Sequence, residues 1–282
     1  MACSHCGDTG WRPIEEAGIR KVVRCECWRE ALTGKLRGDA RIPPRYRKCD
    51  LDSFVVYPND TLKKVVKNAR AFAKRFPSVD KGLFFVGPPG IGKTHLAVAV
   101  LRAAIQGCGA RGLFYDTRDL LRVIRSTYNS TVRTTESEVL RPVIESELLV
   151  LDDLGAQKTS EWVDETLNLI VNVRYNERRP TIFTSNWEDN PDDDPNSLRV
   201  RVGFRMHSRL HEMCEFLEFD GADYRFWDAS NGAPSSADLL TLFKTQKRLG
   251  RTTGRRAPGQ LKAQLRDGSA DVRWPGGKAG TS

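Results

Sequence analysis

The 282-residue chain has no long hydrophobic run. A membrane-spanning helix needs about 20 consecutive apolar residues, and none of the apolar stretches here approaches that length. The first residues, MACSH, also lack the apolar core of a secretory signal. With a mean hydropathy of −0.47, the chain is predicted to be soluble, to have no membrane partner and to stay in the cytoplasm. Disulfides are rare in that compartment, so clustered cysteines are better candidates for metal ligands.

The net charge of +9 is concentrated toward the C-terminal end. Residues 229–282 contain ten Lys or Arg and three Asp or Glu. A helix is predicted near residues 237–249, and the Gly-, Pro- and Arg-rich sequence after it is typical of disorder. We therefore expect a basic, largely disordered tail whose first candidate partner is nucleic acid, with a purely solubilising tail as the alternative.

Short apolar runs alternate with helical periodicity between residues 51 and 228. The runs predicted as strands are 83–86, 112–115, 148–151, 181–184 and, with the weakest pattern, 216–219. The predicted helices include 93–106, 119–128 and 160–176. This alternation is typical of an α/β fold with a parallel sheet and helices on both faces.

A glycine-rich loop follows the first of these runs and leads into a helix. It matches GxxxxGK[ST], a pattern whose backbone N–H groups cradle nucleotide phosphates. Lys93 would bring positive charge to the β- and γ-phosphates, and the Thr94 hydroxyl would ligate Mg²⁺. A simple Gly-Pro turn before a helix is the alternative. The predicted ATP-binding residues of the loop are Gly87, Pro88, Pro89, Gly90, Ile91, Gly92, Lys93 and Thr94.

Polar side chains also follow two further predicted strands. Asp152 is predicted to hold Mg²⁺ together with Thr94, and Asp153 to polarise the attacking water. Asn186 can reach the γ-phosphate or this water, because parallel strands end at the same edge of a sheet. A solvated Asp-Asp turn and an Asn that only caps a turn are the alternatives.

Five segments, in this order, resemble the bacterial DnaC/DnaI helicase-loader family and its relatives, the IstB transposition helpers. They are GPPGIGKTHL, LLVLDDLGAQKTSEW, TIFTSN, MHSRL and GADYR. With IPPRYRKCDLDSF before them, the similarity covers roughly residues 42–227. The glycine-rich loop alone occurs in many families, whereas the ordered set is specific. The resemblance implies an AAA+ P-loop NTPase core with a five-stranded parallel sheet and little or no helical lid.

The resemblance also assigns roles to individual residues. Asn186 corresponds to sensor 1, and Arg225 in DYR corresponds to sensor 2, which reads the γ-phosphate in its own subunit. Arg209 in SRL corresponds to the arginine finger, which acts on ATP held by a neighbouring subunit, so hydrolysis would require self-assembly. Arg205 is a nearby competitor for the finger role, and surface ion pairing is the alternative for both assigned arginines.

Two features depart from the family pattern. Most AAA+ proteins have Glu where this chain has Asp153, which leaves the rate of hydrolysis open. Residues 187–203 are first acidic and then basic, and we interpret them as an insertion of unknown role.

Four of the seven cysteines lie within the first 30 residues. Cys3 and Cys6 form a CxxC pair, and after 18 further residues Cys25 and Cys27 form a CxC pair. Four thiolates satisfy tetrahedral Zn²⁺. His5 can replace one ligand, and free surface thiols or an iron–sulfur cluster are the alternatives. A segment this short has too little core to fold alone, so metal would be its main source of stability.

Taken along the chain, these patterns predict four regions and one leading function. The regions are a zinc module (1–30), a linker (31–50), the AAA+ ATPase domain (51–228) and the basic tail (229–282). The leading hypothesis is an ATPase that loads a DnaB-type replicative helicase onto single-stranded DNA and grips the helicase through the zinc module.

Two other functions remain open from the sequence. An IstB-like helper would assist a transposase on duplex DNA, although this chain has a cysteine cluster where such helpers carry a long helical segment. A nucleotide-sensing adaptor would bind ATP with negligible hydrolysis.

Overall fold

The computed structural model describes residues 3–16, 18–128, 134–157, 160–189, 197–228, 230 and 232–253. Most of the predicted tail (254–282) and part of the expected insertion (190–196) lie outside the described residues. Residue contacts divide the chain into two units, 1–244 and 245–282. Among the residues described, no helix is long and apolar enough to cross a membrane.

Strands and helices alternate through the first unit. The strands are β1 (Trp11–Glu16), β2 (Ile19–Arg24), β3 (Gly82–Val86), β4 (Gly112–Asp116), β5 (Leu148–Asp152), β6 (Thr181–Ser185) and β7 (Cys214–Glu218). The helices are α1 (Glu26–Asp39), α2 (Asp60–Arg75), α3 (Lys93–Cys108), α4 (Thr117–Ser126), α5 (Glu136–Glu145), α6 (Glu161–Asn176), α7 (Leu198–Val202), α8 (Phe204–Met213) and α9 (Ser236–Thr253), the last of which continues into the second unit.

The main sheet is parallel and has the strand order β4-β5-β6-β3-β7. Its register brings the carboxyl ends of the strands together, because Val86 lies beside Ser185 and Asp116 beside Asp152. A separate antiparallel hairpin is formed by β1 and β2. The five-stranded parallel sheet predicted for an AAA+ core is therefore confirmed.

Side chains of the central strands alternate between two hydrophobic cores. In β3, Leu83 and Phe85 pack with residues of α2 and α3, whereas Phe84 and Val86 pack with residues of α4, α5, α6 and α8 on the other face. Helices cover both faces, so the strands are apolar on both sides and form continuous hydrophobic runs in the sequence.

Four of the predicted strands are present, each one residue longer than expected. The fifth begins at Cys214 rather than at Phe216, because Cys214 lies beside Gly82 in the pairing of β7 with β3. Phe219 follows the strand and packs in the core instead. Helix α1 crosses the expected boundary at residue 30, since Pro43 and Pro44 are the first residues after it that cannot continue a helix.

A fully buried arginine joins α6 to the segments before β5 and β6. Burial lowers the pKa of Arg174 to about 9. The guanidinium donates to uncharged oxygen atoms of these neighbouring segments rather than to a carboxylate. The acceptors are the carbonyl oxygens of Val143, Ile144, Ser146 and Pro180 and the hydroxyl groups of Ser146 and Thr181.

Candidate nucleotide site and cysteine cluster

The glycine-rich loop connects β3 to α3 and packs against the segment that carries Arg225. Gly90 has a φ of 81°, a conformation that residues with a side chain rarely adopt. A Cβ atom at this position would lie 1.7 Å from Asp223 Oδ1, so there is also no room for one. The Tyr224 N–H donates to the Gly90 carbonyl over 3.0 Å. The loop and the Arg225 segment therefore hold each other in place.

Lys93 is the first residue of α3, and its ammonium group is buried beside the loop. Its Nζ donates to the carbonyl oxygens of Gly87 (2.6 Å) and Pro88 (2.7 Å) and to Asn186 Oδ1 (2.8 Å). Burial lowers the pKa of Lys93 to about 8, against the opposing effect of nearby carboxylates. The ammonium is thus held by three neutral acceptors that the oxygens of a phosphate can replace.

Asp152 ends β5 and is buried beside two hydroxyl groups. Thr94 Oγ1 donates to Asp152 Oδ1 over 2.8 Å, and Thr184 Oγ1 donates to the same oxygen over 2.6 Å. Burial raises the pKa of Asp152 to about 6, while these two hydrogen bonds oppose the rise. A carboxylate next to a hydroxyl is an all-oxygen donor set of the kind that Mg²⁺ prefers, so Thr94 and Asp152 fit the metal expected there.

Asp153 lies in the left-handed region, with a φ of 58°, at the start of the turn after β5. Its Oδ1 accepts from Asn186 Nδ2 over 2.6 Å, and its Oδ2 accepts from Arg118 Nη2 over 2.9 Å. The Asn186 amide therefore joins Lys93 on one side to Asp153 on the other. Two polar atoms of the site are thereby connected through a single side chain.

Sequence reasoning missed Arg118, Thr184 and Asp223. Arg118 follows the end of β4, and Thr184 lies in the quoted TIFTSN segment, so both stood at the edge of the sheet where the site was expected. Their contacts depend on β4, β5 and β6 being neighbours in the sheet, an order that the sequence does not reveal.

The two arginines assigned from the resemblance lie in different surroundings. Arg225 is exposed in a short 3₁₀ helix beside the glycine-rich loop. Burial of Lys93 is the main cause of its lowered pKa, and the positive charge of Arg225 lowers this pKa further. Arg209 lies on α8 in an open cleft opposite α6. None of the glycine-rich loop lines this cleft, whose residues are Glu161, Asp164, Glu165, Asn168, Leu169, Asn172, Arg205 and Arg209.

The four N-terminal cysteines come together as the spacing predicted. The Cys3 and Cys25 sulfurs are 3.8 Å apart, the Cys6 and Cys27 sulfurs are 3.2 Å apart, and all four lie within 4.8 Å of one another. Tetrahedral Zn²⁺ with Zn–S bonds of about 2.3 Å separates its sulfurs by about 3.8 Å, so the four sulfurs are near the spacing that this ion needs. His5 does not belong to the group, which removes it as a replacement ligand.

The CxC pair can supply two ligands to one ion because helix α1 begins between its two cysteines. Cys25 is the residue before α1 and Cys27 lies in the first turn, so both sulfurs face the CxxC pair. A hydrogen bond with the Cys27 thiol lowers the pKa of Cys6 to about 7 and raises that of Cys27. Thiolate is the form that metal ions bind, and the lowered pKa of Cys6 makes this form easier to reach.

Comparisons with known proteins agree with this geometry. The model of the family described as IstB-like ATP binding protein matches residues 47–231. The replicative helicase loader DnaC of Buchnera aphidicola subsp. Acyrthosiphon pisum is 30% identical over 198 residues, which are 70% of this chain and 77% of that protein. DnaC of Escherichia coli K12 is 28% identical over 150 residues, 52% of this chain and 60% of that protein.

A solved structure is similar over the same region. The crystal structure of the DnaC helicase loader shares 36% identity with this chain at a TM-score of 0.54, over 63% of this chain and the whole of that one. The family match, the parallel sheet and the glycine-rich loop lead to one assignment. The chain belongs to the IstB-like ATP-binding family of AAA+ proteins, and the relatives described above are DnaC replicative helicase loaders.

Proposed function

We propose that this protein is an ATPase that loads a DnaB-type replicative helicase onto single-stranded DNA. The ATPase part of the proposal is carried by the single amide of Asn186, which contacts both Lys93 and Asp153 beside the Thr94–Asp152 pair, and the loader part is supported by the similarity to DnaC. A phosphate-binding cation, a candidate base and a magnesium-type donor set thus lie within one connected group of side chains.

In the proposed site, each of these side chains has one task. The loop N–H groups and Lys93 bind the β- and γ-phosphates, and Thr94 with Asp152 holds Mg²⁺, which would neutralise charge on the phosphate oxygens. Asp153 accepts hydrogen bonds and polarises the attacking water, while Asn186 orients it. Arg118 contacts the same carboxylate and keeps its charge compensated before nucleotide binds.

Hydrolysis is proposed to need a second subunit. Arg209 lies in the α6–α8 cleft, away from the glycine-rich loop of its own chain, which supports a role at a neighbour's nucleotide. Arg225 lies beside its own loop and is proposed to read the γ-phosphate there. An arginine supplied in trans is worth roughly 10³–10⁵ in rate in other phosphoryl-transfer enzymes.

A mixing experiment tests this division of roles. Lys93→Ala should abolish tight ATP binding, and Arg209→Ala should leave binding nearly intact but remove DNA-stimulated hydrolysis. Mixing the two inactive variants should restore part of the activity, because some junctions then combine an intact loop with an intact finger. Mixtures that stay inactive at every ratio contradict the assignment. If Arg209→Ala stays active while Arg205→Ala is inactive and rescued by mixing, the finger is Arg205 instead.

The N-terminal hairpin is proposed to contact the helicase. Ile19 and Val22 on β2 are 60% and 64% exposed and lie on opposite faces of the strand, and burial of either side chain against a partner would be favourable. Ile19→Ser with Val22→Ser should weaken capture of a replicative helicase without changing metal content or ATP affinity. The protein should capture a replicative helicase in preference to a transposase; the reverse preference would favour the IstB-like alternative.

Contact with single-stranded DNA is proposed from the basic tail, which lies mostly outside the described residues. Deleting residues 254–282 should leave ATP affinity unchanged and lower DNA affinity. The slope of log K against log salt should become shallower by about 0.7 for each phosphate that the shortened protein no longer neutralises. Identical slopes for the full-length and shortened proteins would assign DNA binding to the ATPase domain.

A further inference from the structure

We propose that Asp189, His207 and His211 form a second metal site, for a divalent transition-metal ion of the zinc class. The cluster is separate from the four cysteines and from the glycine-rich loop. It joins the segment after β6 to helix α8, which carries Arg209. The inference depends only on this geometry and not on the function proposed above.

The three side chains direct their donor atoms toward one point. His207 Nε2 lies 2.6 Å from Asp189 Oδ1, and His211 Nε2 lies 2.8 Å from Asp189 Oδ2. The two Nε2 atoms are 3.3 Å apart. Tetrahedral Zn²⁺ with Zn–N bonds of about 2.0–2.1 Å separates its nitrogen ligands by about 3.3–3.4 Å, so the histidine pair already has the spacing of bound ligands. Only the carboxylate has to move, by roughly half an ångström, to admit an ion with bonds of that length.

Without a metal ion, the contacts are satisfied in one protonation pattern. If both Nε2 atoms carry hydrogen, each donates to its own oxygen of Asp189. If only one carries hydrogen, the other nitrogen lies 2.6–2.8 Å from a carboxylate oxygen with no proton between the two atoms. A divalent cation can take the place of both protons, because the two nitrogens and the carboxylate are then electron-pair donors to one ion.

The ligands are held in place by packing. His207 and His211 are one helical turn apart on α8, so their side chains lie on the same face. The His211 ring stacks on Phe216 with 4.0 Å between ring centres and an angle of 3° between the ring planes. His207 and Asp189 are largely buried, while the His211 side chain is 45% exposed, which leaves a side of the cluster open to water as a fourth ligand.

The proposed ion would affect the position of α8. Asp189 follows Asn186 by three residues, and Arg209 lies between the two histidines in sequence, on the opposite side of the helix and in the cleft with α6. A bound ion therefore connects the segment after sensor 1 to the helix that carries the proposed finger. We expect it to act as a structural tie rather than as a catalyst.

Metal content of the untagged full-length protein tests the site. After dialysis against zinc-free buffer, the wild type should retain about two zinc ions per chain, one at the cysteines and one at this cluster. His211→Phe keeps the stack on Phe216 but supplies no ligand, and it should retain one. His207→Gln should also retain one. Glu212→Gln, a neighbouring change on the same helix, should retain two and serves as the matched control.

Cobalt substitution distinguishes the two sites by their donor atoms. Thiolate ligands give Co²⁺ an intense near-ultraviolet charge-transfer band, whereas nitrogen and oxygen ligands give only weaker visible bands. Relative to the wild type, His211→Phe should have less visible intensity and an unchanged thiolate band. A single zinc per chain that is unchanged in His211→Phe and His207→Gln overturns the proposal. A single zinc that these variants lose supports it and contradicts the cysteine site instead.

Discussion

The nucleotide edge of the sheet and the N-terminal hairpin are stabilised in different ways. In β3 and β5 every residue is buried, and the side chains of the site extend from strand ends that two hydrophobic cores hold in place. In β2, Val23 is half-buried and the other residues are exposed. Burial therefore positions the nucleotide site, whereas the hairpin depends on contacts at its base.

Those contacts at the base are few. The Arg24 guanidinium lies between the rings of Trp11 and Trp28, 3.7 Å and 4.4 Å from their centres. The four cysteines lie next to this stack. Cation–π contacts at partly exposed sites contribute about 0.5–2 kcal/mol, whereas structural zinc contributes about 10–16 kcal/mol in small zinc-finger peptides. Metal is therefore expected to account for most of the order of the hairpin, and the core of the sheet to be independent of it.

Chelation should produce the largest difference between the two regions. Removing metal, or changing Cys25→Ser, should abolish protection of the amides in residues 3–24 against hydrogen exchange. Amides of the main sheet should keep theirs, because the four clustered cysteines belong to neither hydrophobic core. Cys108→Ser is the matched control, since Cys108 is exposed and outside the cluster. Equal loss of protection in both regions would show that the hairpin supports the sheet.

Arg174→Met should destabilise the core of the main sheet rather than the hairpin, and its effect should be the next largest. The change leaves several buried carbonyl oxygens without a donor, and we expect a loss of about 3–5 kcal/mol in the free energy of unfolding. Denaturant unfolding followed by tryptophan fluorescence measures this loss, and metal content should stay constant. Arg122→Met, on an exposed helix face, should change stability by less than about 0.5 kcal/mol. A similarly small effect of Arg174→Met would show that the carbonyls find other donors.

The smallest expected effect is the uptake of a fraction of a proton at the nucleotide site when Mg-ATP binds. The pKa of Lys93 is lowered to about 8 by burial, so at pH 8 about half of the free protein carries a neutral Lys93. The negative phosphates favour the charged ammonium. Binding of Mg-ATP at pH 8 should therefore take up as much as about half a proton through this group, and almost none at pH 6.5. Calorimetry in buffers of different ionisation enthalpy measures the uptake.

Lys93→Arg is the control for this linkage. Arginine keeps its charge at pH 8, so any remaining binding should proceed without proton uptake. Uptake that persists in Lys93→Arg would assign the proton to another group.

The sequence predicted the parts of the molecule that depend on local pattern. The continuous apolar runs, the glycine-rich loop and the Asp152–Asp153 pair are recognisable because each combines a strand with the residues directly after it. The cysteine cluster was also predictable from spacing. Helices α2 and α5 were not predicted, and α1 was divided between two predicted regions. The apolar side chains of these helices are recognisable as a buried face only when the core that they pack against is known.

Contacts between distant segments were not predictable. Arg118 reaches Asp153 only because β4 lies beside β5, and Asp189 meets His207 only because the chain after β6 returns to α8. The spacing of His207 and His211 was visible within MHSRLHEM, but a third ligand from an acidic insertion was not. Strand order and loop paths are tertiary properties, and one sequence does not encode them in any local pattern.

The close approach of Gly90 and Asp223 has a consequence for how the protein can change by mutation. A side chain at position 90 would meet the carboxylate of Asp223 at 1.7 Å, so it would displace the neighbouring Arg225 as well as strain the loop. A smaller residue at position 223 would have to come first to remove this clash, and position 90 would then favour residues such as asparagine that tolerate a positive φ. Two positions more than 130 residues apart are thus constrained to vary in a fixed order, and a library that randomises the loop alone would not sample the permitted route.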